Sequence, residues 1–363
     1  MRKEDLRSDT VTLPTPEMYK AINKAKLGDS GRLGDSGKGD DPTVNKLEDM
    51  SASKLGMEDA VLTPSGTMSN LIAMITHTGK GEGVILGKES HIYLAEAGSI
   101  SRIAGLIPIL IKENKGMMDL NEIDYYIQAK GFFTLKPGLV SLENTHNFAG
   151  GTVLSPEHIK EVAEITHANG LPLHIDGARI FNASIALRRD VKEFTKNADS
   201  ICFCLSKGLS APIGSLLVGS KKFMQKARGV KKVLGGNMRQ AGIFAAAGIV
   251  ALENMIDRLA DDHKNARILA ENLNIIEGLN INVGSVVTNI VRLDVSELNV
   301  NAYEFIDLLK EKNIYALPFT EDIVRIVTHK DITTNDIYYV IDHITIVILI
   351  LLLFMCYHLL TLK

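Results

Sequence analysis

The chain has 363 residues, 40 lysines and arginines against 43 aspartates and glutamates, a net charge of -3 and 45% apolar residues. That length predicts one large domain with a smaller one, and the near-neutral charge leaves no basic footprint for nucleic acid. Three cysteines without a disulfide framework or zinc spacing point to a reducing compartment, and the charged start lacks the apolar segment of a signal peptide.

Residues 1–14 read as an extended polar arm carrying Arg7-Ser8-Asp9-Thr10. Thr15 as cap and Pro16 at the first helical position predict a helix to about Lys26. Next, LGDSGR (Leu27–Arg32) is followed at once by LGDSGK (Leu33–Lys38). The Gly, Asp and Ser content of this near-repeat predicts a loop, and two units are too few for a solenoid. Gly37-Lys38-Gly39 does not complete the Gly-Lys-Ser/Thr of a phosphate-binding loop. A helix follows over Thr43–Leu55. A short strand from Val61 then runs into Pro64-Ser65-Gly66-Thr67, where a helix over Met68–Thr78 begins. Free N–H groups and hydroxyls at a helix start suit an anion, although Ser and Thr cap ordinary helices in the same way.

Strands are predicted at Gly83–Leu86, 105–111 and Leu139–Leu142, with a helix at Asp119–Lys130. His91-Ile92-Tyr93 and Glu96 come after the first of these strands, and Glu143-Asn144-Thr145-His146-Asn147 after the last. Ser155-Pro156 opens a helix to about Asn169. Leu171–Ile175 alternates like a strand and presents Asp176 at its end, with Arg179 just beyond. A carboxylate there needs a partner, which leaves a ligand site, a structural Asp–Arg pair or a helix cap. The apolar run Ile201–Leu205 meets Ser206-Lys207-Gly208, and Ser215–Val218 is the next strand. Lys207 is either a solvent-facing turn residue or an amine held in a pocket. Cys202 and Cys204 are read as pointing to opposite faces, hence as poor partners for each other.

The basic segment Lys221–Lys232 reads as a solvated helix face, and Ala241–Ala260 as a small-residue helix packed on the sheet. From about Asp261 the pattern is a long amphipathic helix, strand-like Val286–Leu293, a helix near Asn301–Lys312, and strand-like Asp322–Thr328 carrying Arg325. The alternation through residues 60–260 predicts an α/β fold: a three-layer, mostly parallel sheet with flanking helices, plus a smaller C-terminal α/β domain. Polar clusters fall after the strands, where open α/β sheets bind ligands. The expected divisions are 1–26 (arm and helix), 27–260 (large domain), 261–343 (small domain, with 1–20 a candidate addition) and 344–363 (apolar tail). Ile344–Leu362 has no Asp, Glu, Lys or Arg and would span roughly 28 Å as a helix, against about 30 Å of hydrocarbon. A membrane anchor, a helix buried in the small lobe or a partner, and a frameshifted end all fit it.

Arg7-Ser8-Asp9-Thr10, Asp41-Pro42-Thr43-Val44-Asn45, Pro64-Ser65-Gly66-Thr67-Met68-Ser69-Asn70, His91-Ile92-Tyr93, Glu143–Asn147, His174–Arg179 and Ser206-Lys207-Gly208, in this order, resemble the low-specificity L-threonine aldolases. These are pyridoxal-phosphate enzymes of the aspartate-aminotransferase fold, grouped with the β-eliminating lyases. The resemblance implies retro-aldol cleavage of L-threonine or L-allo-threonine to glycine and acetaldehyde; another pyridoxal-phosphate lyase or racemase, or a non-enzymatic membrane-tethered homologue, is the alternative. It implies that Lys207 carries pyridoxal 5'-phosphate covalently, Asp176 pairs with the pyridine nitrogen, and His91 stacks on the ring. Gly66 and Thr67 would cradle the phosphate, Ser206 and Arg179 would line the cofactor, and Ser8, Arg179 and Arg325 would hold the substrate carboxylate. No metal is implied. His91, Glu96 and a water all remain open as the base. A cytoplasmic homotetramer built from dimers is expected, with Lys232 or Arg239 reaching a neighbour's phosphate. Two departures stand out: Lys38 occupies the family's usual tyrosine position behind an inserted LGDSGR, and the end of the chain is apolar.

Overall fold

The computed structural model describes residues 3–31, 34, 37–129, 131 and 134–361, with the backbone alone for 354–361. The chain divides into two units, Pro14–Asp257 and Met1–Leu13 with Arg258–Lys363.

In the first unit, β1 (Asp59–Thr63), β2 (Gly83–Gly87), β3 (Ile107–Ile111), β4 (Pro137–Glu143), β5 (Leu173–Asp176), β6 (Ser200–Cys204) and β7 (Ser215–Gly219) form one seven-stranded sheet in the order β1-β7-β6-β5-β4-β2-β3. β7 runs antiparallel to both neighbours and the other pairings are parallel. The mostly parallel sheet is as expected. The exception follows from the link between β6 and β7, a turn with no crossover helix, which can only join antiparallel strands. β1, β2, β6 and β7 are buried along their whole length, which is why their sequences read as apolar runs instead of alternating.

The flanking helices are α1 (Pro16–Asn23), α2 (Pro42–Leu55), α3 (Gly66–His77), α4 (Leu120–Gln128), α5 (Pro156–Ala168), α6 (Ile180–Leu187), α7 (Lys221–Val233) and α8 (Gly242–Asn254). Hydroxyl caps set several starts: Thr15, Ser65, Ser155 and Ser220 each accept a backbone N–H of the first turn. Buried Asp41 does more. Its Oδ1 accepts from Thr43 and Val44 at the start of α2, and its Oδ2 from Gly28 and from Gly242 of α8. α8 stops at Asn254, short of the expected 260. Gly248 of α8 allows a close approach: a Cβ there would come within 2.9 Å of Leu205 and Leu47.

Two expectations are corrected here. Cys202 and Cys204 share one face, as the two-residue period of a strand requires: Cys202 Sγ reaches Asn70 and Asp176, and Cys204 accepts from Ser215 Oγ. The basic face of α7 is not wholly solvated, because Arg228 and Lys231 are each only 6% exposed. Arg228 forks onto Asp59 at 2.6 and 3.0 Å and also reaches Glu48 Oε2 and the Ala60 carbonyl. Burial holds the Glu48 carboxyl above its ordinary value despite Arg228. Arg228→Ala would strand two buried carboxylates, so it is expected to cost about 3 kcal/mol or more, read as a lower urea midpoint; an unchanged midpoint would refute this account.

The near-repeat lies partly outside the described residues. What is described closes on itself: Asp40 N–H donates to the Asp29 carbonyl, and Ser30 N–H to the Arg239 carbonyl. Lys38 pairs with Asp49 and lies 3.7 Å from Asp59, which also holds Arg228.

In the second unit, α9 (Leu259–Leu273), β8 (Ile290–Asp294), α10 (Ala302–Glu311), β9 (Leu317–Pro318), β10 (Ile323–Val327) and α11 (Thr334–Thr361) surround one apolar core. β8, β10 and β9 make an antiparallel sheet in that order. Glu4–Asp5 pairs in parallel with Ile314–Tyr315. That pairing, with buried Leu6 in the core, ties the arm to this unit as far as Leu13, whereas α1 belongs with the sheet unit. The residues 1–26 expected to form one segment therefore divide at Pro14.

The apolar tail divides as well. Ile344, Val347 and Ile348 are buried in the same core as Leu269 and Phe305. Thr334–Leu353 is long and apolar enough to cross a membrane, and 39% of its most apolar window is buried. Leu351 and Leu352, partly buried, pack against the same core.

Candidate active site

The parallel strands deliver their polar ends to one edge of the sheet. β1 leads to Ser65-Gly66-Thr67, β2 to His91, β4 ends on Glu143, β5 on Asp176, and β6 leads to Ser206-Lys207. This is the edge at which doubly wound sheets bind ligands. Of the residues singled out from the sequence, Gly66, Thr67, His91, Asp176, Arg179, Ser206 and Lys207 lie in this unit. Ser8 and Arg325 belong to the other unit. There Ser8 Oγ accepts from Thr10 N–H at 3.2 Å, and Arg325 sits on β10 opposite Arg292.

Asp176 is 2% exposed. Its Oδ2 accepts from Asn70 Nδ2 at 2.9 Å and its Oδ1 from Ala178 N–H at 3.1 Å. Burial alone would push its pKa up, but the charges of His91 and Lys207 and the Asn70 hydrogen bond hold it below its ordinary value. The carboxylate is thus kept ionised in an apolar setting.

His91 opens the short helix His91–Leu94. Its backbone N–H donates to Glu143 Oε2 at 2.6 Å, and its Nδ1 lies 3.3 Å from Glu96 Oε1. Burial opposes charge on the ring; the Glu96 hydrogen bond and the charges of Asp176 and Glu143 outweigh it and raise the pKa above 6.5. One donor atom from each of His91, Glu96 and Asp176 falls within 4.8 Å of the others. Glu96 is 3% exposed and its Oε2 has no hydrogen-bond partner among the described residues.

At the start of α3, Ser65 Oγ accepts from Met68 N–H, and among the described residues the N–H groups of Gly66 and Thr67 have no acceptor. An anion there would meet two free donors and the positive end of a helix. Gly66 is also a close approach, since a Cβ would sit 2.9 Å from Cys204 Sγ. Lys207 lies in the turn after β6, where its carbonyl accepts from Ser210 N–H at 2.8 Å, and it is half-buried. Arg179 is 6% exposed and reaches Asn147 Oδ1 at 3.4 Å. Lys232 and Arg239 are exposed, Arg239 pairing with Asp29 at 2.8 Å.

Asn70 stands in one of the motifs, but the sequence assigned it no role. Its amide nitrogen serves both Glu96 and Asp176, and its oxygen accepts from Cys202 and His174. The available signal was spacing: Asn70 and His77 are two turns apart on α3, and His174 and Asp176 share one face of β5.

A family model described as beta-eliminating lyase matches residues 5–296. The chain is 44% identical over 347 residues to low-specificity L-threonine aldolase 1 of Arabidopsis thaliana, covering 94% of this chain and 95% of that one. It is 41% identical over 340 residues to the low specificity L-threonine aldolase of Escherichia coli K12, covering 93% and 97%. In fold it is similar to a threonine aldolase of Leishmania major, with a TM-score of 0.80, 18% identity, and 95% and 99% of the two chains covered.

Proposed function

Since this chain belongs to the low-specificity L-threonine aldolase family of beta-eliminating lyases, we propose that it binds pyridoxal 5'-phosphate at this edge and cleaves L-threonine and L-allo-threonine to glycine and acetaldehyde. The observation that carries the reading is the pairing of an ionised, buried Asp176 with unused N–H donors at Gly66 and Thr67, on the strand edge that also presents Lys207. Those are a partner for a pyridinium, a cradle for a phosphate and an amine for covalent attachment.

When bound, pyridoxal phosphate supplies the electron sink for the pair released from the broken Cα–Cβ bond. The chain's own residues bind, orient and move protons. Lys207 Nζ would hold the group covalently, with Ser206 beside it. Asp176 would keep the pyridine nitrogen charged, and Gly66 and Thr67 would hold the phosphate. Arg179 would bind the substrate carboxylate, an anion that a guanidinium fork orients well. His91 would lie against the ring and take the proton of the β-hydroxyl. Glu96 is less suited to that step: it is buried and engaged by Asn70 and by His91 Nδ1, so it supports His91 from behind.

That assignment fixes the sign of a pH effect. A base works only when deprotonated, so the acidic limb of kcat/KM should rise with pH around a midpoint above 6.5, the ordinary histidine value. Glu96→Gln removes the carboxylate that raises the midpoint and should move the limb to lower pH. A limb that stays in place in that variant would reject His91 as the base.

The reading as a whole is tested by reconstituting the protein with pyridoxal phosphate and assaying acetaldehyde from both threonine diastereomers. Cofactor binding without acetaldehyde release would shift the assignment to another lyase or racemase. We extend the reading to a homotetramer, with exposed Lys232 or Arg239 directed to a neighbour's phosphate; sedimentation of the parent and of Arg239→Ala tests it.

A further inference from the structure

Behind Asp176 a line of polar groups runs between the sheet and α3, buried except at its half-buried His77 end. Asn70 Oδ1 lies 3.1 Å from His174 Nε2, His174 Nδ1 lies 2.8 Å from Ser200 Oγ, and Ser200 Oγ lies 2.8 Å from His77 Nε2. The secondary structure builds it: His174 and Asp176 share a face of β5, Ser200 is in register with His174 on β6, and Asn70 and His77 share a face of α3. His174 is completely buried, Ser200 likewise, and Asn70 is 1% exposed.

The hydrogens in this line have only one consistent arrangement. Two carboxylates, Asp176 and Glu96, face Asn70 from one side. A carboxylate accepts, so the Asn70 amide must turn its NH2 toward them and its oxygen toward His174 and Cys202. His174 Nε2 must then carry a proton. Burial pushes His174 down to about 4 and His77 to about 3, so both rings are neutral and each has one N–H. His174 Nδ1 is therefore an acceptor and takes the Ser200 hydroxyl proton, and Ser200 Oγ takes His77 Nε2–H. Every donor points its hydrogen toward Asp176. The Cys202 thiol, kept protonated by burial, adds a second donor to Asn70 Oδ1.

We propose that His77, Ser200 and His174 are positioning residues for the reaction: they lock the orientation of the Asn70 amide and, through it, keep Asp176 ionised and aimed at the cofactor ring. Without the lock, His174 can move its proton to Nδ1. Asn70 can then reverse, presenting its oxygen to two buried carboxylates. Aligned hydrogen bonds in a low-dielectric interior reinforce one another, so an effect at Ser200 should be felt at Asp176. The charged groups acting on the line are His91, Glu96, Glu143 and Lys207 at the Asp176 end, and Asp199 and Lys226 at the His77 end.

This inference rests on Asp176 as the pyridine partner, so the test carries a control for it. The apoprotein of the parent, Ser200→Ala, Ser200→Thr, His77→Phe and Asp176→Asn is titrated with pyridoxal phosphate, and the visible band of each loaded protein is followed against pH. Ser200→Ala should weaken cofactor binding by roughly tenfold, the size expected when a buried hydrogen-bond partner is lost, and shift the pH titration of the band in the direction of Asp176→Asn. Ser200→Thr keeps a hydroxyl and should restore both. His77→Phe leaves Ser200 free to donate and should have the smaller effect. Melting of each apoprotein separates these changes from unfolding. Ser200→Ala with parental affinity and titration, while Asp176→Asn alters both, overturns the inference. Asp176→Asn without effect overturns the pyridine-partner reading, and the inference with it.

Discussion

Lys207→Ala is expected to lose the visible absorbance of the covalently held cofactor and to cut threonine cleavage by about 10^4-fold, while the protein stays folded. The loss is chemical because Lys207 is not part of the core. It lies half-buried in the turn after β6, and the strands on either side, Ser200–Cys204 and Ser215–Gly219, are buried and paired without it. Removing its positive charge has one further consequence: Lys207 is among the groups that hold Asp176 ionised. The variant should therefore bind the free cofactor more weakly as well as failing to attach it. The measurements are an absorbance spectrum after reconstitution, an acetaldehyde assay, and circular dichroism for the fold. A variant that kept both the band and turnover would remove Lys207 from its proposed role. Partial rescue by a small added amine would strengthen it.

The second large effect concerns stability. Ending the chain after His343 should unfold the small unit, whereas ending it after Leu353 should leave stability close to that of the full chain. The first cut removes Ile344 and Ile348, both completely buried, and Val347, 5% exposed. At about 1.5–3 kcal/mol for each such side chain, the loss is comparable with the whole stability of an ordinary domain. The second cut keeps all three, together with Leu351 and Leu352, which pack against the same core. Urea denaturation of the two shortened chains decides this. A 1–343 chain as stable as the 1–353 chain would show that the helix does not pack as described. The longer chain is also the right one for asking whether the apolar end associates with membranes, since the shorter one would confound that question with unfolding.

The large unit was well marked in the sequence. Apolar runs bounded by turn residues located the strands, and the polar clusters after Thr63, Gly87, Leu142, Ile175 and Cys204 fell at the edge where the sheet gathers them. Hydroxyl and proline signals placed the helix starts to within a residue or two, because capping is a local interaction. The errors were of another kind. The α7 segment looked uniformly exposed because charge alone cannot tell which lysine or arginine faces Asp59 and Glu48, more than 160 positions earlier in the chain. The 344–363 segment looked like one unit because hydropathy does not distinguish an apolar residue facing a core from one facing outward. The two cysteines on β6 share a face because a strand repeats every two residues.

The chain's local chemistry by itself determined the lysine after an apolar strand, the carboxylate at a strand end, the glycine and hydroxyls at a helix start, and the alternation that makes an α/β sheet. These depend on contacts between near neighbours or on a periodicity of two or 3.6 residues, which a linear reading can follow. Only the tertiary structure decided that Asn70 serves both Asp176 and Glu96, that His174, Ser200 and His77 line up behind it, and that Ile344, Val347 and Ile348 close a core begun by residues near 270. Those facts depend on which strands lie side by side and which helix face meets them. Hydrogen bonds and burial between groups a hundred residues apart leave no local mark, so the fold must be in hand before they can be seen.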